Sequence, residues 1–193
     1  MVRIFLVVNI LLILLLNYSC TPVGVVASSG ATTMVVAEGD RSLGTVIDDT
    51  TIKFQIAQKF LASKDNLFIN IDTVVIEGRV LLTGIVDTQE IRIEAVRKVW
   101  EVEGVREVIN EIEIGNKTTI KEYANDLWIT TQVKGLAAKT IGLRALSYNF
   151  ETIKGKVYIA GITSRPEQLE QVIEATKTIK GVKEIVNYVV VKE

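Results

Sequence analysis

The sequence predicts an α+β fold of two tandem αββαβ domains, each with two helices on one face of a three-stranded sheet. Three observations support this. A shift of 77 residues aligns 48–116 with 125–193 without a gap, which indicates an internal repeat. Within each copy, apolar residues follow helical and alternating periods in the order helix, strand, strand, helix, strand. Glycines recur at three matched places, namely Gly78 and Gly155, Gly84 and Gly161, and Gly104 and Gly181.

The first helix of each copy is predicted to begin at an aspartate. Asp49 and Asp126 stand where a side-chain oxygen accepts hydrogen bonds from the free N–H groups of a helix start. The residues that follow at spacings of three and four mark the buried side of this helix. They are Ile52, Ile56 and Phe60 in the first copy, and Ile129, Val133, Leu136 and Thr140 in the second.

A β-hairpin is predicted next, with tight turns at Glu77-Gly78 and Lys154-Gly155, where glycine supplies a positive φ. Alternation of apolar and polar residues marks the two strands. In the first copy, the first strand holds Ile69, Ile71 and Thr73, and the second holds Val80, Leu82 and Val86. In the second copy, the corresponding residues are Leu146, Tyr148 and Phe150, and Val157, Ile159 and Thr163.

The second helix and the last strand complete each copy. Gly104 and Gly181 are predicted to end the helix as left-handed C-terminal caps. The last strand is expected over 105–114 and 182–191. Each copy is marginal as an independent core, so the two are expected to pack together. The helix is marked by Ala95, Val96, Val99 and Val102, and by Val172, Ile173, Thr176 and Ile179.

The N-terminal segment has the pattern of a secretory signal. An apolar run of about 13 residues is shorter than the roughly 20 that a membrane-spanning helix needs. Residues 17–20 follow this run and end in Ser19-Cys20, which resembles the lipobox of bacterial lipoproteins. Asn17 and Tyr18 depart from the usual pattern. The resemblance implies a lipidated Cys20. A plain secretory signal and an uncleaved anchor stay open as alternatives.

These features divide the chain into four parts. We expect a signal peptide over 1–19, then the lipidated cysteine and a flexible tether over 20–44. The first domain is expected over 45–115 and the second over 116–193. Thr21, rather than the aspartate associated with retention in the inner membrane, follows the cysteine. The expected location is therefore the periplasmic face of the outer membrane.

The composition argues against an enzyme. The chain has no histidine, which is the commonest general base near neutral pH and the commonest metal ligand. One cysteine leaves neither an internal disulfide nor a CxxC site. The sequence shows neither a P-loop nor a dinucleotide fingerprint. We therefore expect no catalytic residues, no cofactor and no metal. Nucleic acid is not an expected partner of a secreted protein without an aromatic stacking platform.

The repeated motifs resemble the BON domain. The first copy reads Gly78-Arg-Val-Leu-Leu-Thr-Gly84 and then Gly104-Val105-Arg-Glu-Val108-Ile-Asn110. The second reads Gly155-Lys-Val-Tyr-Ile-Ala-Gly161 and then Gly181-Val182-Lys-Glu-Ile185-Val-Asn187. Two such domains behind a lipobox resemble dual-BON outer-membrane lipoproteins linked to envelope stress and cell division. That resemblance implies no catalytic activity.

The run Asp126-Leu-Trp128-Ile-Thr-Thr-Gln-Val133 resembles the phospholipid-binding helix of those lipoproteins. Helical geometry independently sets Trp128 about a quarter-turn from the core side. The equivalent residue of the first copy is Thr51, which suits an exposed position. The predicted phospholipid-binding residues are Trp128, Thr131, Gln132, Lys134, Gly135, Ala138 and Lys139. The alternative is that Trp128 packs against the first domain.

Charge differs between the two copies. Residues 45–115 hold 8 basic and 13 acidic residues, a balance of −5, whereas 116–193 hold 12 basic and 8 acidic, a balance of +4. An anionic phospholipid membrane is therefore the expected partner of the second domain. The alternative is a basic surface that only faces solvent.

A second apolar stripe lies on the second helix of the first copy. Ile93 and Trp100 fall beside the core face, where the second copy holds Glu170 and Lys177. We expect these two residues to contact either the second domain or a partner protein. A solitary exposed tryptophan stays open as the alternative. This stripe supports an alternative function, that of an adaptor for an outer-membrane assembly or division machine without direct lipid binding.

Overall fold

The computed structural model describes residues 43–116 and 118–192. The predicted signal peptide, Cys20 and nearly all of the predicted tether lie outside these ranges. The last two tether residues, 43 and 44, belong instead to the first helix, which begins at Leu43.

Each copy has the predicted order of elements, with one short helical turn added before its first strand. The first copy consists of α1 (Leu43–Leu61), α2 (Leu67–Asn70), β1 (Ile71–Ile76), β2 (Arg79–Val86), α3 (Gln89–Trp100) and β3 (Glu107–Ile114). The second consists of α4 (Ile120–Ile141), a 3₁₀ helix (Gly142–Ser147), β4 (Tyr148–Ile153), β5 (Lys156–Thr163), α5 (Pro166–Lys177) and β6 (Glu184–Val191). Ile69 and Leu146 were wrongly predicted in strands, because they lie exposed in the added helical turns.

Each copy folds one three-stranded sheet. In the first sheet β2 is central, antiparallel to β1 and parallel to β3, and the second sheet repeats this arrangement with β5 at its centre. The parallel pair requires a crossover, which α3 and α5 provide. The predicted α+β class with two three-stranded sheets is confirmed.

The helices of each copy cover one face of its own sheet. In the first copy Ile56, Val80, Leu82 and Val99 are completely buried in this core. Residues 80 and 82 share a face because side chains alternate along a strand. The second copy repeats the core with Ile129, Val133, Val157 and Ile159. Ala137 is buried there, whereas Thr140, which was predicted on the core side, is exposed.

The other face of each sheet packs against the other copy. Val74, Ile76 and Leu81 of the first sheet form one buried apolar cluster with Tyr158, Ala160 and Ile162 of the second. The two domains therefore form four layers, in the order helices, sheet, sheet, helices. The expectation that the two copies pack together is confirmed, and the contact is made by the sheets.

Polar contacts at the edge of this interface join equivalent positions of the two copies. The Tyr188 hydroxyl donates a hydrogen bond to Glu111, and these residues are 77 positions apart, which is the repeat offset. Lys156 Nζ lies 3.5 Å from the other oxygen of Glu111. Desolvation and the bond to Glu111 raise the pKa of Tyr188 to about 12. Because β1 contacts β5 as β2 contacts β4, a local two-fold axis relates the copies.

The two aspartates predicted as helix N-caps have a different role. Both helices start earlier, so Asp49 and Asp126 lie inside them and are buried. The Asp49 carboxylate accepts hydrogen bonds from the backbone N–H groups of Glu77 and Gly78, both at 2.8 Å. Asp126 does the same for Lys154 and Gly155, at 2.7 and 2.8 Å.

These carboxylates hold the hairpin turns that the sequence predicted. Glu77 and Gly78 both have a positive φ, of 52° and 74°, as a two-residue type I′ hairpin requires. A positive φ is costly for a glutamate, and the two bonds to Asp49 stabilise it. From the other side, Gly78 accepts a 2.8 Å bond from Arg106 N, and a Cβ at Gly78 would lie 2.6 Å from Gly104 O.

The predicted helix C-caps were also wrong. α3 ends at Trp100 and its C-cap is Glu101, with an ordinary φ of −77°. Gly104 follows three residues later with a φ of 89°, inside the turn that leads to β3. The chain needs these extra residues to return from the helical layer to the sheet, so the last strand begins at Glu107 rather than at 105.

We expect Asp49→Asn to lower the free energy of unfolding by about 3 kcal/mol. The amide leaves only one acceptor for the two N–H groups, and each lost bond to a charged partner costs about 1.5–3 kcal/mol. Urea unfolding followed by circular dichroism measures the change. Asp48→Asn, an exposed neighbour, is the matched control. An equal effect of the two substitutions would contradict the role given to Asp49.

A pH dependence follows from Asp72 and Glu151. Desolvation raises the pKa of Asp72, and desolvation together with the charge of Asp72 raises the pKa of Glu151. Folding therefore favours their protonated forms. This contribution to stability is complete below their unfolded pKa values, near 4, and is lost as the pH rises through the folded values.

We expect Asp72→Asn to be more stable than the wild type at pH 7 and equally stable at about pH 4 in urea titrations. A difference that grows on acidification would refute the assigned sign.

Candidate membrane-binding surface

The predicted phospholipid-binding residues lie on α4, which starts with a capping box. Thr119 Oγ1 accepts a 3.2 Å bond from Glu122 N, and Glu122 Oε2 accepts a 2.8 Å bond from Thr119 N. The backbone bond, followed by the bond from the Thr119 hydroxyl, lowers the pKa of Glu122. The helix then runs for 22 residues, or about 33 Å.

One side of α4 is fixed by the core of its own domain. Ile129, Val133, Ala137 and Ile141 are buried against the second sheet. On the same side, the Thr130 hydroxyl donates a 2.7 Å hydrogen bond to Thr152 Oγ1. Because this side cannot rotate, the opposite side of the helix is presented outward as the outer layer of the molecule.

The structure brings the predicted residues together on that outer side. Trp128 is 48% exposed and lies on the far side of its own sheet from the first domain. At about 100° per residue, all the others except Lys134 fall within about 80° of Trp128. Lys134 falls at the edge, about 120° away. The exposed members are Thr131, Gln132, Lys134, Gly135, Ala138 and Lys139.

Three exposed apolar residues on α4 were missed by the sequence reasoning. Leu127 lies next to Trp128, and Ile120 and Tyr123 occupy the first turn. Ile120 and Tyr123 were missed because the helix was predicted to begin at Asp126. The motif Thr119-x-x-Glu122 was the available signal for the true start.

Ile120, Leu127 and Trp128 form an apolar ridge on the outer side of α4, and small residues lie beside it. A Cβ added at Gly135 would meet nothing within 4 Å. The Thr131 hydroxyl donates a 2.8 Å bond to Leu127 O, so it has its own partner within the helix. The residues one turn away from Trp128 on this side, Ala124, Thr131 and Gln132, are uncharged, and the indole is larger than any of them.

Basic side chains border the ridge. Lys121 and Lys139 lie within about 20° of Trp128 on the helical wheel, and Lys134 lies further round. Within residues 43–116 and 118–192, none of these three lysines forms an ion pair. Of the acidic residues of α4, Glu122 is used in the capping box and Asp126 in the hairpin turn. The charge available at this surface is positive.

Ile93 and Trp100 lie in the opposite outer layer. They are 56% and 52% exposed on α3, outside the sheet-to-sheet cluster. The first of the two predicted contacts, with the second domain, is therefore wrong, because the domains meet through their sheets. The second, with a partner protein, stays a prediction. Beside Trp100, Arg97 bonds Glu94 and Glu101, and Glu101 also pairs with Lys59.

The repeated fold has a counterpart among known families. The sequence profile described as the BON domain matches residues 48–116 and again 125–193. The two matches cover most of the chain. The chain belongs to the BON family. Both matches start and end where the internal repeat does, so each three-stranded sheet with its helices is one BON domain.

Several curated proteins resemble the chain over most of its length. A protein of Anaplasma centrale, named for its place in the gshII 5′ region, is 37% identical over 147 residues, or 76% of this chain and 96% of that protein. Outer membrane lipoprotein DolP of Haemophilus influenzae is 30% identical over 167 residues, or 85% of each chain. The 21 kDa hemolysin of Actinobacillus pleuropneumoniae is 31% identical over 155 residues, covering 77% of this chain and 78% of that protein.

The described part of the chain has neither a membrane-spanning helix nor a cluster of metal ligands. Among the helices of 43–116 and 118–192, none is both long and apolar enough to cross a membrane. In the same ranges, no cluster of three or more His, Cys, Asp or Glu side chains is arranged to hold a metal ion.

Proposed function

We propose that this BON protein is anchored by lipid at Cys20 to the periplasmic face of the outer membrane and binds anionic phospholipid through α4. This binding supports the integrity of the outer membrane. The observation that carries the proposal is the half-exposed Trp128, which stands with Leu127 on the outward side of α4 among basic residues.

The apolar ridge suits the boundary of a bilayer. Indole is favoured at the level of the lipid headgroups, where its ring is half buried and its N–H stays hydrated. Leu127 and Ile120 extend the apolar contact along the same helix. The fold itself does not require this ridge, because the first domain holds Thr51 at the position of Trp128.

The lysines supply the preference for anionic lipid. Each basic residue near an anionic bilayer contributes on the order of 1 kcal/mol. Lys121, Lys134 and Lys139 together contribute a few kcal/mol. The attraction acts between exposed charges, so added salt screens it.

The relative sizes of the two membrane contacts indicate what α4 adds. Acyl chains on a cysteine contribute about 0.8 kcal/mol per buried CH₂, which makes anchoring by two or three chains nearly irreversible. The relative from Haemophilus influenzae is an outer membrane lipoprotein, which supports the same anchor here. The few kcal/mol from α4 therefore add little to anchoring, but they bias the protein towards regions rich in anionic lipid.

A second candidate function is an adaptor for an outer-membrane assembly or division machine. The observation that favours it is the exposed pair Ile93 and Trp100 on α3. The ion pairs of Arg97 and Glu101 around Trp100 give this site a charged border, as is common at the rim of protein interfaces. Comparison of Trp128→Glu with Trp100→Glu separates the two functions.

We expect Trp128→Glu to lower the affinity for anionic vesicles at least about tenfold, since 1.4 kcal/mol of lost binding is already a factor of ten. Sedimentation of residues 21–193, which include both domains, with vesicles measures this. Lys134→Glu with Lys139→Glu should weaken binding less, and only at low salt.

Trp100→Glu is the matched control, because both tryptophans are about half exposed and lie in opposite outer layers. It should leave vesicle binding unchanged. Equal loss of binding in both tryptophan variants would overturn the site. A fall of many degrees in the melting temperature of Trp128→Glu would show that the ring serves packing instead. Loss of cellular function in Trp100→Glu alone would favour the adaptor.

The anchor is tested by metabolic labelling. Radiolabelled palmitate should enter the full chain and should be absent from Cys20→Ala, because Cys20 is the only cysteine of the sequence. The labelled chain should fractionate with the outer membrane. Equal labelling of the two chains would refute lipidation at Cys20, and this result is independent of the vesicle assay.

A further inference from the structure

The outer side of α1 carries a row of three large apolar residues that are mostly exposed. Ile47, Phe54 and Leu61 are 56%, 62% and 63% exposed. They are seven residues apart, so successive members drift by only about 20° around the helix. The row is therefore a single stripe, about 21 Å long.

The BON fold does not require this row. The equivalent positions of the second domain hold Ala124, Thr131 and Ala138, which are exposed too. The two domains have the same core and topology, so small residues suffice at these places. Large apolar residues at all three positions of α1 therefore indicate a contact outside the domain.

The surface beside the row is free of charge. Thr50 and Ala57 lie on one side of it, and Thr51 and Gln58 lie on the other. The hydroxyls of Thr50 and Thr51 already donate bonds of 2.7 and 3.0 Å to the carbonyls of Val46 and Ile47. Covering this stripe would therefore leave only the Gln58 amide in need of a partner.

The row is symmetric about Phe54, with one apolar residue seven positions before it and one seven positions after it. We propose that this face of α1 pairs antiparallel with α1 of a second copy of the chain. In this pairing Phe54 meets its own equivalent on a two-fold axis, and Ile47 meets Leu61 of the other copy. Such an interface is isologous and closes as a dimer.

The same register satisfies the polar neighbours. A two-fold axis through Phe54 sets Thr51 beside Gln58 of the second copy and Thr50 beside its Ala57. A hydroxyl that donates to a helix carbonyl still accepts, so Thr51 provides an acceptor for the Gln58 amide. Like charges do not meet, since the stripe holds none.

A membrane is a poorer occupant of this stripe. α1 lies in the outer layer opposite α4, so one flat bilayer does not reach both. The stripe also lacks the lysines that border Trp128. Six half-exposed side chains make a small interface, so pairing should depend on the local concentration of the chain.

Disulfide cross-linking in cells tests the pairing on the full chain. Phe54→Cys should give a linked dimer under mild oxidant, because Cα atoms that meet on the axis lie within the 4.4–6.8 Å range of a disulfide. Ile47→Cys alone and Leu61→Cys alone should not link, since equal residues lie about 21 Å apart across the axis. Chains with Ile47→Cys should link to co-expressed chains with Leu61→Cys.

Two controls set the background. The unaltered chain reports any link through Cys20, and Phe68→Cys, exposed outside the row, reports random collision. Adding Phe54→Thr to the mixed pair should abolish its link. Thermal unfolding of Phe54→Thr should be unchanged, because the second domain already holds Thr131 there.

Three outcomes would overturn the proposal. One is the absence of a dimer in both Phe54→Cys and the mixed pair. Another is equal linking of every single-cysteine chain, which indicates collision. The third is a link from Phe54→Cys to a different protein, which would make the stripe a heterologous interface.

Discussion

Each BON domain depends on one buried carboxylate that holds the turn of its hairpin. Asp49 reaches from α1 to two backbone N–H groups 28 and 29 residues further along the chain. That turn fixes the register of β1 on β2, and β2 is the central strand on which β3 also pairs. This one interaction therefore stabilises the position of the first helix, the positive φ of Glu77 and the register of the sheet. Its repetition at Asp126 shows that the fold, rather than either domain's function, requires it.

The contact between the domains explains why the two copies differ at certain positions. Residues near a local two-fold axis meet their own equivalents, so identical residues there face each other. Two glutamates at 111 and 188 would repel, and two tyrosines would lack the charged acceptor that Glu111 provides. The pair Glu111 and Tyr188 forms a hydrogen bond instead, and Lys156 offsets the remaining charge. The difference between the two copies at Glu111 and Tyr188 therefore stabilises the packing of one domain on the other.

The sequence was sufficient for features that depend on local pattern and insufficient for those that depend on distant partners. The order of the elements along the chain, the tight turns at Glu77-Gly78 and Lys154-Gly155 and the outward position of Trp128 follow from periodicity and from comparison of the two copies. The role of Asp49 does not, because an aspartate near a helix start suits a cap as well as a long-range acceptor. Ile120 was missed through the same error, since the helix was predicted to begin at Asp126 and begins at Ile120. The contact between the sheets depends on which of two apolar faces meets the other copy, and no local spacing records that.

The four-layer arrangement sets the helices of the two domains on opposite sides of the packed sheets. With the sheets packed together, α1 and α4 point in opposite directions, so a flat membrane contacts only one of them. Their outer residues differ accordingly. α4 combines Trp128 and Leu127 with lysines and small residues, whereas α1 has an uncharged row of large apolar side chains centred on Phe54. The charge balances of −5 for 45–115 and +4 for 116–193 follow the same division. Because the buried sides of both helices retain one pattern, the way each domain folds does not account for the divergence of their exposed sides.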